Sequence, residues 1–198
     1  LLYQTLLQQP GIDGDVAKLP KSTAVSLYAG MMTDTNNFAN SVFPGTFWMA
    51  SALLAAGVDK MRLQNEILCS YSENRMRLMG KMLLKNMKLV EDGKVAYMIL
   101  SLQDKDKYNY ATGDSEGFVN LPLSVKGVVM TALFTQNEEN IRVSLRSKGN
   151  LDVNLLAGRF FNGGGHKNAS GGRLNVTLDE VGPYFEKSVR EYFSEQGL

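Results

Sequence analysis

Ile141-Arg142-Val143-Ser144-Leu145-Arg146 alternates apolar with polar residues, and Asn162-Gly163-Gly164-Gly165-His166-Lys167-Asn168-Ala169-Ser170-Gly171-Gly172 follows downstream. A period of two marks a strand with one buried face. It sends Ile141, Val143 and Leu145 inward and Arg142, Ser144 and Arg146 outward. A short helix is expected between the two segments, with Val153, Leu156, Ala157 and Phe160 on one face. Five glycines fall in the ten positions from Gly163 to Gly172, a composition that no hydrophobic core requires. Glycine admits positive φ and lets a backbone approach a ligand closely. Successive N–H groups can then cradle an anion, with His166 and Lys167 as added donors. The plainer alternative is a flexible loop ahead of a strand at Leu174 and Val176.

Outward from this stretch the pattern is that of a compact α+β domain over residues 91–198. Val95 to Leu100 and Val128 to Phe134 are apolar runs of strand length, expected to be buried. Asp104 to Gly117 between them is polar, a loop with room for a helical turn. Asn137 to Asn140 makes a turn. Thr177 and Glu180 form a capping box for the last helix, whose core face is Val181, Tyr184, Phe185, Val189, Tyr192 and Phe193.

Residues 1–90 read as helical. Ala24, Leu27, Tyr28 and Met31 share one helix face, with Ser22 or Thr23 as cap. Pro44-Gly45-Thr46 introduces a helix from Phe47 to Ala56, which Gly57 ends. Asp59 caps a third helix, Lys60 to Ser70. Ser72 caps a fourth, in which Met76, Met79, Leu83 and Met87 form an apolar stripe that reads as core. The chain opens on Leu1-Leu2-Tyr3 without an initiator Met, and it is expected to be a piece of a longer protein.

Composition bounds the function. The 198 residues are 44% hydrophobic and 21% charged, which excludes a disordered or collagen-like chain. Lys and Arg number 21 against 20 Asp and Glu, so any anion site must be local. The single cysteine excludes an intramolecular disulfide and a multi-cysteine metal site. Cys69 follows Ile67 and Leu68 and is expected to be a buried thiol in a reducing compartment. No export signal opens the chain, and its longest apolar run, Phe47 to Val58, falls short of the ~20 residues that span a bilayer. A cytoplasmic location is expected. Lys21-Ser22-Thr23 is not a P-loop tail, because Pro20 stands where that motif needs Gly.

Two further residues are candidates for chemistry. Arg146 carries a planar, permanently charged group suited to bidentate phosphate binding, or is a solvated strand arginine like Arg142. Asp34, between Thr33 and Thr35 at a helix end, either binds a divalent cation or makes a local Asx turn.

These residues carry a resemblance. Arg146-Ser147-Lys148, Asp152-Val153-Asn154, Leu156-Ala157 and Phe161-Asn162-Gly163-Gly164-Gly165-His166-Lys167-Asn168-Ala169-Ser170-Gly171 resemble the C-terminal DHHA1 domain of DHH-family phosphoesterases. Within that family they are most similar to the nanoRNase and pAp-phosphatase branch, often labelled exopolyphosphatase-related. Asp114-Ser115-Glu116-Gly117-Phe118-Val119-Asn120, with Leu123-Ser124, looks like the same branch. Tyr28-Ala29-Gly30-Met31-Met32-Thr33-Asp34-Thr35-Asn36-Asn37-Phe38 resembles the last metal-binding motif of the DHH domain, with Asn36 where Gly is usual.

The resemblance implies the helical remnant of a DHH domain, residues 1–90, followed by a DHHA1 domain with a mixed sheet. It implies hydrolysis of short oligoribonucleotides or of 3'-phosphoadenosine 5'-phosphate at two divalent ions, usually manganese. It makes Asp34 a metal ligand, and Gly163, Gly164, Gly165 and His166 the grip on the substrate's phosphate or nucleotide. Arg146 and Asn154 would support that grip. The expected partner is short RNA or a nucleotide, without a membrane; a homodimer is compatible with the family. His166 is the chain's one histidine, so the Asp-His-His motif lies outside these residues. The resemblance thus places nearly all metal ligands upstream of Leu1 and leaves this chain with little or no hydrolytic activity by itself. Two other readings stay open: a non-catalytic binding module, as appended to alanyl-tRNA synthetases, and a cyclic-dinucleotide phosphodiesterase or single-strand exonuclease of the same superfamily.

Overall fold

A computed structural model describes residues 1–39 and 41–197. The chain divides into two compact units, Leu1–Tyr71 and Ser72–Leu198. The first is helical: α1 (Leu2–Leu7), a 3₁₀ turn at Val16–Lys18, α2 (Lys21–Asp34), α3 (Pro44–Ala55) and α4 (Lys60–Leu68). Ala24, Tyr28, Met31 and Met32 of α2 pack with Leu19, Ala50, Leu53, Val58 and Leu63. Asp59 caps α4 as expected, accepting the Arg62 N–H at 2.9 Å. Gly57, at φ +92°, ends α3 in the left-handed region that its missing Cβ allows. The cap of α2 is Pro20, not Ser22 or Thr23. Proline serves there because an N-terminal N–H has no intrahelical acceptor to lose. Cys69 is exposed, contrary to expectation: α4 stops at Leu68, so the thiol falls outside the amphipathic repeat.

The second unit starts with α5 (Glu73–Lys81), capped by the Ser72 hydroxyl, which accepts the Arg75 N–H at 3.1 Å. A π-helical turn, Met82–Asn86, follows. Its wider winding shifts the helical phase. Of the expected stripe, Met79, Leu83 and Met87 pack part-buried against the core around Leu78 and Met82, while Met76 is 48% exposed. The remaining elements are β1 (Lys88–Val90), β2 (Val95–Leu100), α6 (Leu102–Lys107), a 3₁₀ segment (Phe118–Ser124), β3 (Met130–Gln136), β4 (Ile141–Ser147), α7 (Val153–Phe160), β5 (Gly164–His166), β6 (Ala169–Leu174) and α8 (Leu178–Gln196).

The six strands form one mixed sheet in the order β1-β2-β3-β4-β6-β5. Among the described residues only β2 and β3 pair in parallel. Parallel neighbours need a crossover, and here it carries α6 and the 3₁₀ segment. One face of the sheet is covered by α7 and α8: Val95, Tyr97, Ala132, Phe134, Val143 and Leu145 pack with Leu156, Phe161, Val181, Phe185 and Val189. On the other face Met98, Leu100 and Leu133 pack with Leu78, Met82, Phe118 and Val119. Double coverage explains why β2 is continuously apolar and β3 is buried from Met130 to Thr135. It stops at β4, whose residues alternate buried and open along the strand. On that second face Arg142 of β4 is exposed, and Ser144 and Arg146 are part-buried.

The capping box of α8 forms, with the Thr177 N–H and hydroxyl both donating to Glu180 Oε2 at 2.8 and 2.7 Å. Tyr184 is not core: it lies at the rim, where its hydroxyl donates to the Phe160 carbonyl at 2.8 Å.

Candidate anion-binding face

The glycine segment is an edge hairpin, not a loop ahead of a strand. Gly164 pairs with Gly171, Gly165 with Ser170 and His166 with Ala169, and Lys167-Asn168 makes the turn. The close approach its glycines permit is to the protein's own backbone. A Cβ on Gly163 would lie 1.9 Å from the Gly171 carbonyl oxygen, and one on Gly172 would lie 2.2 Å from that of Phe161. Only Gly165, at φ +152°, uses the positive-φ freedom within this run. Two of the glycine donors are engaged internally. The Gly163 N–H donates to the Ala157 carbonyl at 3.2 Å, and the Gly165 N–H to Asn154 Oδ1 at 2.8 Å. Asn154 reaches the hairpin from α7, itself capped by Asp152, and so braces β5 from the helix-covered side. Lys167 does not add a donor to the open face; its Nζ donates to Asn150 Oδ1 at 3.0 Å.

Register assembles the open face. Ser144 lies opposite Gly171, and Gly171 opposite Gly164; Arg146 lies opposite Ala169, and Ala169 opposite His166. Arg142 lies directly opposite Arg173. These residues and Asn162 line a surface hollow of about 610 Å³. Arg62, Arg77, Arg159 and Arg190 each have a carboxylate partner. Among the described residues, Arg142, Arg146 and Arg173 have none, and Arg146 donates only to the carbonyl of Leu145, at 2.8 Å. Burial lowers the pKa of the Arg146 guanidinium from its ordinary value; the charge of Glu116 opposes that shift and the charge of Arg142 adds to it. Like charges placed opposite each other across a strand pair destabilise a sheet. An electrically balanced protein that concentrates unpaired guanidiniums on one sheet face has a surface suited to a phosphate oxyanion.

Arg142 and Arg173 escaped the sequence reading. Alternation placed Arg142 on the same face as Arg146, a usable signal. Nothing local could place Arg173, because its position depends on the pairing of β6 with β4.

Asp34 is the exposed last residue of α2. The turn after it is built by Thr35, whose hydroxyl donates to the Met31 carbonyl at 2.7 Å and accepts the Phe38 N–H at 2.9 Å. Among the described residues no three His, Cys, Asp or Glu side chains come together as a metal group. One carboxylate does not fit a two-ion centre.

Comparison with known proteins bears on the family and the fold. The model of the DHHA1 domain matches residues 92–195. The bifunctional oligoribonuclease and PAP phosphatase NrnA of Thermus thermophilus is 30% identical over 180 residues, covering 88% of this chain and 52% of the relative. The NrnA of Bacillus subtilis is 30% identical over 161 residues, covering 79% and 49%. This chain thus spans about half the length of these curated relatives, which are phosphoesterases by name. The crystal structure of an exopolyphosphatase-related protein from Bacteroides fragilis superposes with a TM-score of 0.88 at 40% identity, covering 96% of this chain and 55% of that one. The strand order, the glycine hairpin and the match over most of the sheet unit lead to one assignment: the chain belongs to the DHHA1 domain family.

Proposed function

We propose that the sheet unit holds the substrate of a metal-dependent phosphoesterase acting on short oligoribonucleotides or on 3'-phosphoadenosine 5'-phosphate. The observation that carries the reading is the set of carboxylate-free guanidiniums, Arg142, Arg146 and Arg173, around one hollow beside His166. In this reading Arg146 and His166 receive a phosphate of the substrate. Arg142 and Arg173 add charge at the far end, where the next phosphate of a short chain would lie. Asn154 and Gly163, Gly164 and Gly165 fix the hairpin that presents His166. Asp34 is the one candidate ligand for the manganese-type ions in this chain, and the remaining ligands are proposed to lie outside its 198 residues. The hydrolytic step therefore belongs to the longer protein, and this chain alone is expected to bind without turnover.

The test is a manganese-dependent assay of the longer protein on a dinucleotide, beside a binding titration of the 198-residue chain with the same compound. Turnover by the longer protein, with Arg146→Ala weakening binding by the chain, supports the reading. A second reading is a module that only binds nucleic acid. Binding with no turnover by the longer protein would select it.

A further inference from the structure

The edge hairpin that carries His166 has little of its own to hold it. All three residues of β5 are exposed, and two are glycines, which bring no side-chain packing. His166 must still keep its place in the cross-strand row Arg146–Ala169–His166 if it and Arg146 are to meet one phosphate. A restraint sits at the turn. The part-buried Asn168 sends its carboxamide nitrogen into the loop between β4 and α7. There it lies 2.9 Å from Ser147 Oγ and 3.2 and 3.3 Å from the carbonyl oxygens of Gly149 and Leu151. An amide nitrogen has two hydrogens to donate, and each of these neighbours accepts. The Ser147 hydroxyl is committed in turn, donating to the Leu151 carbonyl at 2.6 Å. Two backbone bonds run alongside: the Ser147 N–H donates to the Asn168 carbonyl at 3.1 Å, and the Val153 N–H to that of Lys167 at 2.8 Å.

Ser147 directly follows Arg146 on β4, and Asn168 stands two residues after His166. Their bond therefore joins the two ends of the row, and a slide of the hairpin along β4 would break it. A satisfied polar network rigidifies what it connects, and a receptor held in its bound geometry loses less freedom on binding. Asn168 is not one of the residues lining the hollow. We propose that Asn168 is a positioning residue of the anion-binding face: through Ser147 it holds His166 at a fixed place relative to Arg146. This rests on the reading of the face as a phosphate site and adds the contact that sets its geometry.

The experiment is titration of the 198-residue chain with adenosine 5'-monophosphate at fixed pH. Calorimetry reads affinity, and NMR reads the imidazole signals of His166, the chain's one histidine. Asn168→Ala keeps both backbone bonds and should fold, which circular dichroism checks. It should bind about tenfold more weakly than wild type, with the His166 signals broadened in the free protein and displaced less by the ligand. Ser147→Ala removes the acceptor and should give the same loss, with no further loss in the double variant; it carries the test if Asn168→Ala does not fold. Thr177→Ala removes the capping hydroxyl of α8 and measures what a loss of stability alone does; its binding and His166 signals should match wild type. Wild-type affinity and His166 signals in Asn168→Ala, or a loss that Thr177→Ala reproduces, overturn the inference and leave the face a phosphate site. If wild type does not bind the probe, or if Arg146→Ala binds it as wild type does, the reading of the face itself falls, and this inference with it.

Discussion

Arg142 and Arg173 stand directly opposite each other on the antiparallel pair β4–β6, and among the described residues neither guanidinium has a carboxylate partner. The pair is an electrostatic cost that the fold carries. Replacing one member should relieve it: Arg173→Ser is expected to stabilise the free protein by about 0.5 kcal/mol at low salt. The same change should weaken binding of a dinucleotide about tenfold and flatten its salt dependence. Urea unfolding and titration at two salt concentrations measure both. A variant that is less stable and binds unchanged would show that the pair serves packing.

The glycines of the hairpin should separate by position. Gly172→Ala drives a methyl into the Phe161 carbonyl and its Cβ, at 2.2 and 2.8 Å, contacts made by backbone or close to it. It should cost about 3 kcal/mol or prevent folding. Gly164→Ala meets only Asn154 Oδ1, at 3.4 Å, and should stay within about 1 kcal/mol of wild type. Thermal unfolding of the two variants decides the order; equal losses would mean that the hairpin is not seated against the end of α7.

Asn154→Ala removes the acceptor of the Gly165 N–H. Because the strand is an exposed edge, the loss should be about 1 kcal/mol, with faster amide exchange at Gly165. Asn154→Asp retains an oxygen acceptor and should restore protection. Unaltered exchange in Asn154→Ala would remove Asn154 from the support of β5.

The sheet unit should lose stability in acid through Asp104. Burial pushes its carboxyl up, but hydrogen bonds from Asn86, Lys81 and Ser101 and the charge of Lys81 outweigh this and hold it below the ordinary value of 3.8. A carboxyl depressed in the folded state contributes stability that is fully present above its unfolded pKa and fades as pH falls through the folded one. The contribution should therefore be constant above about pH 5 and decline below about pH 4. Asp104→Asn should be less stable at neutral pH and show a flatter acid limb in unfolding curves. An acid limb identical to wild type would place the sensitivity elsewhere.

The α+β character and the buried strands were readable in the chain because burial leaves a period. Continuous apolar residues at Val95 to Leu100 mark a strand covered on both faces, and alternation at Ile141 to Arg146 marks one covered on a single face. The same alternation predicts that Arg146 faces outward. β1, the π-helical turn and β5 left no such trace. The π-helical turn at Met82–Asn86 ends the regular helical spacing, and no local signal in the sequence marks it. β5 is made of Gly164, Gly165 and His166, and glycines have no side chains with which to show a period of two.

By itself, then, the sequence determined most of the helices and the strands β2, β3 and β4, the composition that makes any anion site local, and the glycine-histidine run that marks where to look. Tertiary structure alone decided that Arg173 faces Arg142, that Asn154 holds Gly165 and that Arg75 and Thr131 anchor the segment from Gly113 to Val119. The physical reason is that local sequence encodes the direction of a side chain relative to its own strand. The residue that meets it is chosen by strand pairing and by the anchoring of distant segments, here through Arg75 and Thr131, which no window of neighbouring residues contains.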